Sequence, residues 1–330
     1  MATNRQTEAL DKIRNGVPNR WYLVAREQEV TTSPAAIRRL GIDLVIWRSP
    51  SGIHLLQDRC PHRGARFSQG TASDSSVICP YHGIQVSGDG KVLEVPGYPE
   101  AAQKGKFLVR QFPVRVKDGG VWAWFGVDKE APPGELRFPA ELTDGNWHGY
   151  LWTGEWKCNW LLALDNLADP MHATYLHGDT YTLSAGAKVD RMRAVDIPDG
   201  FRIEKEGQRD VNFDWTEFFD TGMLWARLDI PYPQSAGPGG HLRIIGTVTP
   251  IDELACQVYF MHLRRGGGWE HDMWRLLYRT VLYPRHMKVL AQDQKVLEGM
   301  PLDAREHESL YQHDLGITRL RRLLVNAAAE

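Results

Sequence analysis

Cys60-Pro61-His62-Arg63-Gly64 and Cys79-Pro80-Tyr81-His82-Gly83 are two versions of one phrase, and they decide the first half of the fold. Each opens on Cys-Pro, reaches a His and closes on Gly, with sixteen residues between His62 and Cys79. Two thiolates and two imidazoles suit a [2Fe–2S] cluster whose irons are held unequally, one by Cys60 and Cys79, the other by His62 and His82. Neutral imidazoles in place of two thiolates lessen the negative charge on such a cluster and raise its potential. Zinc also takes Cys₂His₂ sites. A zinc finger, however, places both Cys before both His, whereas here each Cys travels with its own His.

The segments around these loops read as short strands. Leu44-Val45-Ile46-Trp47 turns back through Ser49-Pro50-Ser51-Gly52 into Ile53 to Gln57, and Val77-Ile78 precedes the second loop. Phe107 to Arg110, Val114 to Val116 and Val121 to Phe125 continue the pattern. Runs of β-branched and aromatic residues broken by Gly and Pro predict a small all-β domain, residues 18–130, with the ligands on loops of a rigid scaffold.

After Ala131-Pro132-Pro133-Gly134, read as a linker, the pattern changes. Trp156 to Leu167 reads as helical, with apolar residues three and four apart. Five extended segments follow: Phe201 to Glu206, Asp214 to Phe219, Leu224 to Ile230, Leu242 to Thr249 and Cys256 to Leu263. From Trp269 onward the chain reads as helical, broken at Pro284 and Pro301. Residues 131–330 therefore form an α+β domain, an antiparallel sheet with helices before and after it. Pro231 to Gly240 is either a cover for a cavity or a plain connection. Ile317 to Val325 reads as an amphipathic helix, with Leu320, Leu323 and Leu324 on one side and Arg319, Arg321 and Arg322 around the rest.

The second informative stretch is Asp165-Asn166-Leu167-Ala168-Asp169-Pro170-Met171-His172-Ala173-Thr174-Tyr175-Leu176-His177. Two imidazoles and one carboxylate on one face of an ion leave positions open, the arrangement an O₂-binding ferrous site needs. His172 and His177 are more than one helical turn apart, so the helix must loosen between them. Asp169 is either the third ligand or the hydrogen-bond partner that fixes the His172 tautomer.

Together these motifs resemble the Rieske non-haem iron oxygenases, specifically their terminal oxygenase (α) subunits, over about Trp21 to Glu298. Asn166, Asp169, His172 and His177 match the family's Asn-x₂-Asp-x₂-His-x₄-His pattern position by position. The resemblance implies an all-β Rieske domain followed by a helix-grip, START-like catalytic domain. It implies Cys60, His62, Cys79 and His82 as cluster ligands. It also implies an iron held by His172, His177 and a C-terminal Asp, for which Asp293 fits best and Glu298 and Asp303 less well. Asn166 is implied as a supporting residue. Asp169 is implied as a catalytic bridge between His172 and His82 of a neighbouring subunit in a homotrimer.

Length and the lack of reductase sequence look most like the shorter α-only group, such as vanillate and dicamba monooxygenases. The implied activity is hydroxylation or O-demethylation of an aromatic small molecule. O₂ and NAD(P)H electrons are used, the latter delivered by a separate reductase with or without a ferredoxin. Cis-dihydroxylation of a ring is the alternative within the class. An electron-transfer Rieske protein is the alternative outside it, and leaves Asp165 to His177 unexplained. A zinc hydrolase built on His172 and His177 leaves the cluster loops without purpose.

Composition adds exclusions. The 330 residues carry 39 Lys+Arg against 41 Asp+Glu, for a net charge of −2, with no basic run for nucleic acid. No apolar run approaches a membrane span, and Met1 to Gly16 is polar, so a cytoplasmic protein is expected. Of the four Cys, Cys158 and Cys256 are left over, and a disulfide between them is allowed but unneeded. Arg63 reads as either a neighbour of the cluster or a surface residue. Arg209, Arg227 and Arg243 lie on candidate strands; any one facing inward implies a carboxylate or sulfonate on the substrate, while surface exposure is the commoner fate. His54, His148, His241, His262, His271, His286, His307 and His313 have no partner spacing.

Overall fold

The computed structural model describes residues 4–74, 76–103, 109–128, 131–179, 190–207, 215–232 and 240–329. Arg209, Asp214, the Phe107-Leu108 start of one expected strand and the interior of the Pro231–Gly240 loop lie outside them. The chain divides into residues 18–134 and a second unit in which residues 135 onward are joined by the N-terminal segment. That segment, with helix Asn4–Lys12, packs Leu10, Ile13 and Val17 into the core of the second unit.

Among the described residues the first unit holds three small antiparallel sheets. In one, Gly120–Phe125 lies between Arg20–Arg26 and Val114–Lys117. Its Val121, Trp122, Ala123 and Phe125 are all buried, as a central strand covered on both faces requires. The second is Ala35–Arg39, Ile42–Ser49 and Gly52–Gln57. The third runs Thr71–Ala72, Ser76–Ile78, Gln85–Ser87 and Val92–Glu94. Val45, Trp47, Leu56, Phe67, Val77, Ile84 and Val86 form one core, and Cys60 and Cys79 belong to it.

The second unit carries a seven-stranded antiparallel sheet. Its spatial order is Trp147–Trp156, Cys256–Arg265, Gly240–Pro250, Leu224–Tyr232, Trp215–Asp220, Gly200–Lys205 and Met192–Ile197. From Met192 onward it is a meander. The first strand returns to pair with the last, Trp147 opposite Arg265 and Trp156 opposite Cys256. Helices Trp160–Leu167, Pro170–Leu176, Tyr283–Glu298 and Leu315–Ala327 share a core with Phe201, Phe218, Ala226, Ile244, Val258 and Phe260 of the sheet. This is the α+β, helix-gripped arrangement expected.

Several local expectations are corrected. Trp156 is not helical; it ends a strand, and the helix begins after Asn159. The Asn159 side chain accepts from Leu161 N–H at 3.1 Å while its amide donates to the Arg14 and Glu253 carbonyls. A cap of this kind is worth about 1 kcal/mol. Pro284 does not break the C-terminal helix. A π-helical turn, Tyr278–Leu282, leads into Tyr283–Glu298, so the proline falls in a first turn where its missing N–H costs nothing. Strand Met192–Ile197 escaped the sequence reading because it is a sheet edge with Arg193 to Asp196 exposed, which leaves no apolar alternation.

Arg321 is not on the polar side of its helix: it is buried, binding Asp165 at 2.6 Å and Glu308 at 2.9 Å. Arg227 and Arg243 are neither surface residues nor part of the helix-covered face. They alternate with that face's Ala226, Leu228, Leu242 and Ile244, so they lie on the opposite face. There Arg227 pairs with Glu217 at 2.6 Å and with buried Glu141 at 3.1 Å, and Arg243 joins the same Glu141. These arginines are already neutralised and give no sign of a substrate anion. Cys158 and Cys256 are free, buried thiols, and the Cys256 thiol is pushed up by its hydrogen bond to Cys158 and then by burial.

Candidate metal centres

The two Cys-Pro loops repeat in backbone as they do in sequence. Cys60 N–H donates to Ala65 O at 2.8 Å and Gly64 N–H to Cys60 O at 2.9 Å. Cys79 N–H donates to Ile84 O at 2.8 Å and Gly83 N–H to Cys79 O at 3.1 Å. Closing each loop demands a left-handed residue, supplied by Gly64 at φ +80° and Gly83 at φ +70°. Asp58, buried, anchors the first loop by accepting from the Ser68 backbone and hydroxyl at 2.9 and 2.5 Å.

The loops present two unlike pairs of ligands. Cys60 and Cys79 are buried, whereas His62 and His82 are exposed with their Nδ1 atoms 3.3 Å apart. Burial, with help from the adjacent Cys79, pushes the Cys60 thiol up to about 11. Such a thiol is reluctant to ionise without a cation beside it and would release its proton on binding one. That is the behaviour of a thiolate metal site, and the donor set fits a [2Fe–2S] cluster. Arg63 joins the two loops from outside, donating to Tyr81 Oη at 3.1 Å with its guanidinium over the Tyr81 ring.

The second constellation is assembled from two distant segments. Trp160–Leu167 ends at Ala168, and Asp169 caps the next helix, Pro170–Leu176, by accepting from the Met171 and His172 N–H groups at 2.8 and 3.3 Å. Pro170 takes the first position, where no N–H is needed. His172 lies inside this helix, while His177 is its C-terminal cap with φ −103° and ψ 22°. The helix thus stops where the two rings must converge. From the far segment, Tyr283–Glu298 contributes Asp293.

His172 Nε2 and His177 Nε2 lie 3.5 and 3.2 Å from the same oxygen, Asp293 Oδ1. The three ligand atoms are all within 4.8 Å of one another. On each ring the other nitrogen faces an acceptor. His172 Nδ1 meets the Asp169 backbone carbonyl, with the Asp169 carboxylate farther away at 3.9 Å. His177 Nδ1 meets Gln292 Oε1 at 2.9 Å. Both Nδ1 atoms thus face acceptors, which turns both Nε2 atoms toward one carboxylate oxygen. Asp293 Oδ1 is buried with no hydrogen-bond donor. Two imidazole nitrogens and one carboxylate oxygen converging in this way fit a cation site.

The electrostatics agree. Burial alone would push the His172 imidazolium down and the Asp293 carboxyl up. Their mutual attraction overrides it, raising His172 and lowering Asp293. Protons and a metal thus compete for one place.

Sequence reasoning missed the supports. Gln292 is oriented by its own amide, which donates to Asp179 Oδ1 at 3.4 Å, and Lys288 pairs with Asp179. Lys288 and Gln292 are four apart on one helix, a spacing that placed them on one face before the fold was known. Asn166 is half-buried; its carbonyl accepts from Asp169 N–H at 3.3 Å. Glu298 is occupied by Lys157 N–H and Gln294. Asp303 is exposed beside His307.

Comparison with known proteins follows the same division. Residues 20–113 match the family model of the Rieske [2Fe–2S] domain, and residues 156–330 match that of the vanillate O-demethylase oxygenase C-terminal domain. The oxygenase component of dicamba O-demethylase from Stenotrophomonas maltophilia is 34% identical over 182 residues, covering 53% of this chain and 52% of that protein. The vanillate O-demethylase oxygenase subunit of Pseudomonas sp. (strain HR199 / DSM 7063) is 29% identical over 163 residues, 49% of this chain and 45% of that one. The chain thus spans about half the length of the curated relatives it matches. The crystal structure of dicamba monooxygenase bound to 3,6-dichlorosalicylic acid shares its fold with a TM-score of 0.72 at 22% identity, covering 96% of this chain and 98% of that one. The terminal oxygenase of carbazole 1,9a-dioxygenase from Novosphingobium sp. KA1 gives 0.78 at 21% identity, covering 97% and 95%.

Proposed function

The chain belongs to the family of the vanillate O-demethylase oxygenase C-terminal domain, joined to a Rieske [2Fe–2S] domain, and on that premise we propose that it is the oxygenase component of a Rieske non-haem iron system. Its reaction is the hydroxylation or O-demethylation of an aromatic small molecule, with electrons from a separate reductase or ferredoxin. Cys60, His62, Cys79 and His82 hold the cluster; His172, His177 and Asp293 hold a lone iron. When bound, the cluster supplies single electrons and the iron supplies the activation of O₂. The observation that carries this reading is the meeting of two Nε2 lone pairs with the orphaned, buried Asp293 Oδ1. A carrier of electrons alone has no use for it.

The chain's own residues do the rest. The Asp169 carbonyl and Gln292 hold the imidazoles in the tautomer that leaves Nε2 free. His62 and His82, exposed, form the side from which electrons enter and leave. Asp169 Oδ1 is occupied as a helix cap, and its second oxygen is the group we assign to His82 of a second copy within a homotrimer. A reducing compartment, the cytoplasm, suits a chain in which Cys158 and Cys256 are buried free thiols.

The test is turnover of a methoxyarene panel under ¹⁸O₂ with a generic reductase. Hydroxylation should leave one labelled atom in the aromatic product, and O-demethylation should release the label in formaldehyde while the phenol keeps its ether oxygen; two labelled atoms in the aromatic product indicate dihydroxylation, and O₂-independent behaviour rejects both. Asp169→Asn sharpens it. Asn still caps the helix, so both metal centres should load while turnover falls to background. Normal turnover in that variant would remove Asp169 from the electron path.

A further inference from the structure

The C-terminal helix, Leu315–Ala327, meets the metal-bearing segment at a point where no side chain fits. Gly316 is its second residue and is buried. A Cβ built on it would lie 2.2 Å from the Ala168 carbonyl oxygen and 3.1 Å from Ile203 Cγ1. Only a hydrogen fits between the Gly316 Cα and that oxygen. Glycine is a poor helix former, and the Gly316 backbone is not left-handed. Close approach of two backbones is what calls for it here.

Ala168 is the joint between two helices. Its N–H closes Trp160–Leu167 by donating to the Leu164 and Asp165 carbonyls, both at 3.1 Å. Its carbonyl shares one rigid peptide plane with the Asp169 N–H, which donates to Asn166 O at 3.3 Å. Displacing the oxygen tilts the plane from which Asp169 hangs. Asp169 caps the helix of His172 with its carboxylate and faces His172 Nδ1 with its carbonyl. The path from Gly316 to a ligand ring therefore runs through Ala168 and Asp169 alone. A second grip holds the same stretch. Asp165, three residues before Ala168, accepts two bonds from Arg321, from Nη2 at 2.6 Å and from Nε at 3.3 Å. Glu308, ahead of the C-terminal helix, holds Arg321 in turn at 2.9 Å. One grip acts by close contact, the other by a forked ion pair.

Resting on the oxygenase reading above, we propose that Gly316 and Arg321 are positioning residues for the lone iron: from the C-terminal helix they fix the Ala168–Asp169 turn and, through it, the direction of His172. With alanine at 316 the oxygen has to retreat by about 0.8 Å to turn a 2.2 Å approach into a 3.0 Å one. That exceeds the roughly 0.5 Å within which a ligand constellation must be held. His177 is braced separately by Gln292, so the disturbance falls on His172.

The experiment compares the full chain, its cluster loaded and O₂ excluded, with Gly316→Ala, Arg321→Lys and Leu324→Ala. Lysine keeps the charge but cannot fork between Asp165 and Glu308. Leu324 is fully buried on the same helix, about 12 Å beyond Gly316 along its axis. Its truncation lowers the melting temperature from the far end of the helix, away from the turn. Ferrous affinity is read by competition with a chelator, and the geometry at the iron by the paramagnetic spectrum of its nitric oxide adduct. Gly316→Ala should weaken ferrous binding ~10-fold or more and change that spectrum, and Arg321→Lys should weaken binding ~3-fold or more. Leu324→Ala should melt lower yet keep the parent's affinity and spectrum. Parent-like affinity and spectrum in both Gly316→Ala and Arg321→Lys, or an equal loss in Leu324→Ala, overturns the proposal, since the helix would then act through stability alone. Should Gly316→Ala not fold, Arg321→Lys set against Leu324→Ala decides by itself. A parent chain that holds no ferrous ion at His172, His177 and Asp293 removes the oxygenase reading and this proposal together, which tells that failure from the other.

Discussion

The two candidate metal centres differ in how they are built. The cluster loops are local and self-sufficient: each ligand pair sits within four residues, and each loop closes on its own backbone bonds and its own glycine. The candidate iron site is borrowed from the fold. His172 and His177 come from one helix and its cap, Asp293 arrives from a helix more than a hundred residues later, and the ring tautomers depend on Asp169 and Gln292. A local site survives damage elsewhere in the chain. A distributed site fails when any of its supports moves.

The sharpest way to break that contrast is to remove the distant ligand. Asp293→Ala should abolish iron retention at the lone site and turnover with it, while the visible spectrum of the cluster stays unchanged. Loss of both spectra would show that the two centres fold as one. Next in size is the brace behind the helix. Arg321→Met leaves Asp165 buried without its partner and should cost about 3–5 kcal/mol. Thermal melting should show this as a lower transition for the second unit alone, and adding Asp165→Asn should restore part of it.

Gln292→Leu removes the acceptor for His177 Nδ1. A roughly 10–100-fold loss of metal affinity is expected, read by competition with a chelator. Acidification should act in the same direction. His172 is raised and Asp293 lowered in the metal-free site, so protons occupy His172 as pH falls, and iron retention should decline from neutral to mildly acidic pH. Retention that improves on acidification would contradict the tautomer assignment. The smallest effect is in the local site. Gly83→Ala forces a side chain into φ +70°, at about 1–2 kcal/mol, and sets its Cβ 3.2 Å from Pro96. Cluster bleaching should quicken with the lone iron untouched.

The same contrast explains what the sequence could tell. The two matching loops that carry Cys60, His62, Cys79 and His82 were legible because their chemistry and spacing are contiguous. His172 and His177 were legible as a pair, but the point where their helix ends was not, since it depends on a cap made by His177 itself. Gln292, Asp179 and Lys288 were invisible as a set because nothing local links residue 179 to residue 292. His262 and His286 had no partner spacing and were passed over; a strand and a helix bring them into a stack. Arg321 was misplaced because an amphipathic pattern cannot reveal that one charge on the inward side has a buried acid waiting for it. Strand Trp147–Trp156 went unread for a related reason: its partner is the last strand of the sheet.

The most direct measurement is a joint iron and acid-labile sulfide count on the reconstituted chain, read with its visible and paramagnetic spectra. The account predicts about three irons and two sulfides per chain, and Asp293→Ala taking away one iron and no sulfide. Two irons in the parent chain, or an Asp293→Ala variant with an unchanged count, would contradict it.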